Sequence, residues 1–283
     1  MQFRTDLAFE SIENRPLSGV KQKNWKDGML QFHHVTVGEK EAELLGKPQG
    51  KYVTALLPTL TDHEQGLEEM AEKLGEQLRL LLPKEGTVLV AGLGNSSITP
   101  DAIGPLTASR VLATRHIQGE FARSVGLENL RATAVISPDV LGNTGVESSE
   151  IVASVCKAIQ AQAVIAVDAL AARSLERLGC TVQLCDSGIA PGSGVGNNRK
   201  ALCREGLGVP VIGLGVPTVV DAVTLAKDLT GLDSESITPN GTAMMVTPRE
   251  VDLMVDRAAR LLAMTIHAAL QPSYSPLELL SLA

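Results

Sequence analysis

The chain has 283 residues, 44% of them hydrophobic and 20% charged, a globular balance with enough length to bury roughly three quarters of its extended-chain surface. Acidic residues outnumber basic ones by 32 to 25 and the formal charge is -7, with no long Lys/Arg cluster, so direct nucleic-acid binding is not expected. The start MQFRTDLAFE lacks a signal-peptide layout and no apolar run is long enough for a bilayer, so a membrane partner is not expected and a cytoplasmic setting is.

Taken in chain order, residues 1–50 are polar and turn-rich, broken at Arg15-Pro16, Ser18-Gly19 and Lys47-Pro48. The adjacent pair His33-His34 in this stretch reads as surface. A strand is predicted over Tyr52–Leu57, followed by a capping box at Thr61-Asp62-His63-Glu64. The helix after it buries Leu67, Met70, Ala71, Leu74, Leu78 and Leu81. Thr87–Ala91 is a fully apolar run suited to a strand covered on both faces. A glycine turn and a helical stretch from about Pro100 come next.

Further short branched runs lie at Ala132–Ile136, Ala163–Val167, Val182–Leu184 and Pro210–Leu214, with helical patterns at Glu147–Ile159 and Ala171–Leu178. The last helix is expected to open on a capping box, Thr247-Pro248-Arg249-Glu250, and to bury Val251, Met254, Val255, Ala258, Leu261, Leu262 and Thr265. Aromatics are only 2%, so Ala, Val, Leu and Ile must fill the core. Strand–helix alternation predicts a three-layer α/β fold, a mainly parallel sheet between helices, with no domain boundary in evidence.

Ligands of an open parallel sheet bind beyond the carboxyl ends of its strands. Three segments are placed there: Gly92-Leu93-Gly94-Asn95 with Ser96 to Asp101, then Asp168, then Asp186-Ser187-Gly188 opening a glycine-rich loop that reaches Lys200. The first lacks the third glycine of a dinucleotide fingerprint and reads as a tight strand-to-helix turn. By position alone Asp101 reads first as a helix-start acid. Asp168, ending an apolar run, must be desolvated, paired or working. Two carboxylates brought close resist joint ionisation, so one holds a proton while the other acts as base, a pairing suited to hydrolysis.

The end of the glycine loop, Arg199 and Lys200, reads either as a solvated basic edge or as an anion-binding edge for acidic substrate side chains. Glu147 is a third acidic candidate, with a first-turn helix acid as its plainer role. The cysteines Cys156, Cys180, Cys185 and Cys203 have neither CxxC spacing nor nearby histidines, so no metal and no cofactor is expected. No serine triad stands out.

Several long segments resemble one known family. They are RTDLA at Arg4–Ala8, GLGNSSITPDAIGP at Gly92–Pro105, NTGVES at Asn143–Ser148 and VDALAARS at Val167–Ser174. DSGIAPGSGVGNNRK at Asp186–Lys200, VPVIGLGVPTVVDAVT at Val209–Thr224 and MMVTPREVD at Met244–Asp252 complete the set. In this order they resemble the germination protease family, which is similar in fold to the hydrogenase maturation endopeptidases. The resemblance implies an atypical aspartic-type endopeptidase with catalytic Asp101 and Asp168 and supporting roles for Asn95, Glu147, Asp186, Arg199 and Lys200. It also implies a homotetramer in the spore core that degrades small acid-soluble spore proteins at germination.

The same resemblance implies a zymogen whose leader, residues 1–6, is removed by a cut between Asp6 and Leu7, leaving one peptidase domain over 7–283. Against the family's pattern that leader is short, as is the stretch from Asp228 to Met244. The alternatives are a metal-dependent peptidase with Asp101 and Asp168 as ligands, and a non-catalytic binder of spore proteins.

Overall fold

The computed structural model describes residues 5–13, 19–62, 65–192, 199–231 and 244–283, without the side chain of Asp228. The expected cap residues His63 and Glu64, the loop 193–198 and the stretch 232–243 lie outside the described residues. The strands are β1 (Lys21–Asp27), β2 (Leu30–Val37), β3 (Gly50–Leu56), β4 (Val88–Gly92), β5 (Thr133–Ile136), β6 (Ala163–Ala172), β7 (Thr181–Cys185), β8 (Val211–Asp221) and β9 (Met245–Val246). The helices are α1 (Ala8–Glu13), α2 (Glu39–Leu45), α3 (Leu67–Leu81), α4 (Ile103–Ala108), α5 (Gly119–Ser124) and α6 (Leu141–Thr144). After them come α7 (Ser148–Ala158), α8 (Arg204–Leu207), α9 (Ala222–Thr230), α10 (Val251–Leu270) and α11 (Pro276–Ser281).

The strands make one sheet in the order β1-β2-β3-β7-β8-β6-β4-β5, with β9 beside β8. Strands β8, β6, β4 and β5 run parallel. An antiparallel extension, β7-β3-β2-β1, continues the sheet from β8. Alternation along the strands sorts side chains to two faces. Val88, Val90, Ile165, Val167, Leu184 and Leu214 point into one apolar layer with α3 and α10. Leu89, Ala91, Val164 and Ala166 point the other way, against Val152 and Cys156 of α7. On that second face α1 and α2 cover the antiparallel side through Ala8, Ile12, Leu45, Val35 and Tyr52.

Both long helices bury the stripes their spacing predicts, except that Leu81 and Val251 are only half-buried. They cross closely at Gly75, where an added Cβ would fall 2.6 Å from that of Ala268. The expected capping box at Thr247–Glu250 does not form, and the other one falls partly outside the described residues. Helix α3 begins behind Gly66, and Thr61 instead donates its hydroxyl to Asp62. Ahead of α10, Thr247 donates its hydroxyl to the Thr218 carbonyl at 2.9 Å, which leaves Glu250 at the helix boundary.

Three other expectations are corrected. The polar start holds the β1–β2 hairpin, and His33 is buried, its ring tilted against Phe9 with centroids 4.2 Å apart and Nδ1 against Asn24. The predicted helix 171–178 is absent: β6 runs on to Ala172 and only one 3-10 turn, Leu175–Arg177, follows. Asp168 consequently lies inside a strand and not at its end. Pairing with the eleven-residue β8 holds the extra length extended, whatever the helix propensity of Ala and Leu.

Candidate active site

Strand β4 ends opposite Val167, so β6 continues past its neighbour with one edge open. Asp168 is the first residue beyond that point and is 4% exposed. At the end of β4 the chain turns through Gly94, whose φ of +112° suits glycine and whose missing side chain lets the Asp101 carbonyl approach. The turn returns the Asp101 carboxylate to accept from the Asn95 N–H at 2.7 Å, while the Asn95 side chain accepts from Ser97 N–H at 2.9 Å. Beyond the Leu170↔Pro217 pair β8 takes a bulge, as expected of a residue without an N–H. Thr218, the extra residue there, donates its hydroxyl to the Pro100 carbonyl at 2.8 Å and ties the Asp101 turn to β8.

Asp101 and Asp168 both line one cavity of about 340 Å³, together with Asp6, Ser148, Arg199 and Thr218. A second cavity of about 580 Å³ shares Asp6, Asp168 and Leu170 with it and extends past Lys47, Gln183 and Asp186. Burial pushes the Asp168 carboxyl well above the usual carboxylate range, and the negative charges of Asp101 and Asp6 add to the rise. The Ala169 N–H and the Arg199 guanidinium oppose it. Burial also raises Asp101, against the Asn95 N–H and Arg199. The two carboxyls line one cavity, and burial favours the neutral form more strongly at Asp168 than at Asp101.

The start of the chain is laid along the open edge of β6. Asp6 N–H donates to the Ala171 carbonyl and Ala171 N–H donates to the Asp6 carboxylate, each at 2.8 Å. Gln183 donates through Nε2 to the Asp6 carbonyl at 2.9 Å and accepts at Oε1 from Ala8 N–H at 2.8 Å. Lys47 Nζ donates to the Thr5 carbonyl at 2.5 Å, and Leu7 is fully buried. Glu10 accepts from the N–H groups of Arg173 and Ser174.

A family model described as Germination protease matches residues 4–232. The chain belongs to the germination protease family. It is 37% identical over 311 aligned residues to a germination protease of Clostridium perfringens, with 95% of each chain covered. A germination protease of Caldanaerobacter subterraneus is also 37% identical, over 98% of this chain and 96% of its own. One from Priestia megaterium is 42% identical over 80% of this chain and 65% of its own. A [NiFe] hydrogenase maturation protease HycI structure from Thermococcus kodakarensis covers 67% of this chain and 98% of its own, at 17% identity and a TM-score of 0.38. The fold description therefore rests on the sheet order above.

Of the residues singled out in the sequence, Asp101, Asp168, Asp6 and Arg199 line the same cavity. Asn95 stands behind Asp101, bonded through its backbone. Glu147 is the boundary residue of α7 and is not a lining residue, although Ser148 beside it is. Lys200 is exposed and lines neither cavity. Asp186 does not sit with the aspartates' strand ends: β7 is antiparallel to β8, so its carboxyl end lies toward the amino ends of β6 and β8. There its carboxylate accepts from Lys51 N–H at 2.6 Å and lines the far part of the second cavity.

Gln183 and Lys47 were not legible as site residues; the lone polar residue inside the run Thr181–Cys185 was the only sign of the first. Among the described residues no group of three or more His, Cys, Asp or Glu is placed to hold a metal ion, and no helix is long and apolar enough to cross a membrane.

Proposed function

We propose that this member of the germination protease family is an endopeptidase that starts the degradation of small acid-soluble spore proteins in the germinating spore core, as a homotetramer. It is made as a zymogen, cuts itself between Asp6 and Leu7, and works through Asp101 and Asp168. The observation that carries this reading is the placement of Asp6, held by backbone and side chain on the open edge of β6, in the cavity that both aspartates line.

In this reading the Asp101 carboxylate takes a proton from water as the water oxygen bonds to the scissile carbonyl carbon. Asp168, the carboxyl whose burial favours the proton, delivers it to the leaving nitrogen as the C–N bond breaks. The products are a new carboxyl on one residue and a free amine on the next, with no covalent enzyme intermediate. Arg199, whose charge is felt at both carboxyls, keeps the pair from losing its net single charge. Acidic residues of a substrate would meet the same guanidinium.

The test is intact-mass spectrometry of the full chain over time, and of a small acid-soluble spore protein incubated with the Leu7-start enzyme. Asp101→Asn and Asp168→Asn should each slow both cuts by about a thousandfold, within the range for removing a general acid or base. Cutting that stops under chelator and returns with added metal would replace the reading with a metallopeptidase. An intact spore protein bound by the enzyme in every sample would replace it with a binder.

A further inference from the structure

Gln183 is a polar side chain that is 5% exposed in a strand whose neighbours Val182 and Leu184 are fully buried. A buried amide is costly unless both of its ends are hydrogen-bonded. Neither end bonds within the sheet. One reaches the Asp6 carbonyl and the other the Ala8 N–H, so the amide spans the Asp6–Leu7 peptide bond from its carbonyl to the next N–H. Its orientation is unambiguous, because a carbonyl only accepts and an N–H only donates.

The row in which it stands places it toward the chemistry. Gln183 is level with Gly215 of β8, and Gly215 is level with Asp168 of β6. Residues level across neighbouring strands share a face, so amide, glycine and carboxyl stand side by side on one face, the outer two about 10 Å apart along the sheet. Gly215 keeps the space between them open: a Cβ there would fall 2.5 Å from the Asp168 carbonyl oxygen and 2.7 Å from Leu170 Cγ. Asp6, Asp168, Gln183 and Gly215 line one cavity, and the Asp6 carbonyl in it accepts from the Gln183 amide.

We infer that Gln183 is a catalytic residue of this protein, the donor that polarises the scissile carbonyl and takes up the negative charge that forms on its oxygen when water adds. The inference rests on the reading above of Asp6–Leu7 as a bond the enzyme cuts. A neutral amide suits this place, since it stabilises an oxyanion in a dry site without adding charge beside Asp6 and Asp168. Lys47 holds the preceding carbonyl, of Thr5, and so positions the segment without touching the reacting one.

The experiment follows the single-turnover rate of the Asp6–Leu7 cut in the full chain by intact mass. The parent is compared with Asp168→Asn, Gln183→Leu and Gln183→Glu, and kcat and KM are measured separately for Leu7-start forms on a peptide spanning Thr5–Glu10. Loss of one such donor is expected to cost about a hundredfold to a thousandfold in rate. That loss should appear in kcat with KM changed only a few-fold. In Gln183→Glu a carboxyl can donate to the carbonyl only while protonated, so its rate relative to the parent should rise as pH falls.

A Gln183→Leu chain cut within about threefold of the parent rate, or a loss confined to KM, overturns the inference and leaves Gln183 as a clamp. Should Gln183→Leu fail to fold, a pH-independent ratio for Gln183→Glu overturns it equally. A parent chain that is not cut at Asp6–Leu7, or is cut as fast with Asp168→Asn, overturns the proposed function itself and the assignment of Gln183 with it.

Discussion

The two halves of β6 are built for opposite purposes. From Ala163 to Val167 the strand is flanked by β4 on one edge and β8 on the other, and every residue is fully buried. From Asp168 to Ala172 it keeps β8 but has outrun β4, and its open edge is taken by the backbone and carboxylate of Asp6. Backbone groups inside a protein must be paired, so a strand that outlasts its neighbour creates a demand that a peptide can meet. The first half is closed on both edges; the second holds the Asp6 segment. The carboxyl, the bulge and the bound segment all fall in the second.

This contrast can be broken in graded ways. The largest effect on stability is expected in the closed half, where Ile165→Ala should cost about 3 kcal/mol, read from the urea midpoint, because a fully buried branched side chain leaves a void between sheet and α10. Comparable destabilisation from an alanine at exposed Leu229 would remove the meaning of that number.

Next, pH should act on the two faces of the sheet with opposite sign. His267 on α10 accepts from Leu112 N–H, and burial lowers its pKa to about 4 from 6.5. The folded state therefore binds fewer protons than the unfolded one in that window, and up to about 3 kcal/mol is lost as pH falls from 6.5 to 4. Asp168 has its folded pKa raised, so its contribution is present at low pH and is lost as pH rises through that raised value. Melting temperatures across pH should show the acid limb flattened by His267→Gln and the alkaline limb flattened by Asp168→Asn; parallel curves for both variants would contradict this. The smallest effect belongs to the open edge: Asp6→Ala, which takes the acceptor from the buried Ala171 N–H, should slow self-cleavage by roughly tenfold and cost about 1 kcal/mol of stability. An unchanged rate would mean that Gln183, Lys47 and the backbone bond to the Ala171 carbonyl hold the segment without the carboxylate.

The closed half was legible because strands covered on both faces must be apolar throughout, as the short runs around Val88, Ala163 and Val211 are. The β1–β2 hairpin was not, because β1 lies at the sheet edge and five of its seven residues, Lys21, Gln22, Lys23, Asn24 and Lys26, are exposed. The helix expected over Ala171–Leu178 failed for the complementary reason: its residues favour a helix locally, and pairing with β8 overrode them. Asp101 and Asp168 stood out as single acids after apolar runs and were joined by family resemblance, yet nothing in their spacing of 67 positions states that they share a cavity.

Taken alone, the sequence determined the layered α/β class, the stripes of α3 and α10, the turn at Gly94 and the identity of the acids, since each depends on local geometry or on which side chains can be buried. Only the tertiary structure decided that β4 stops at Gly92 while β6 continues, that β7 runs antiparallel and carries Asp186 away, and that Gln183 faces Asp168 across Gly215. Those outcomes depend on register between strands far apart in the chain, and register is settled when two faces of a sheet are packed at once.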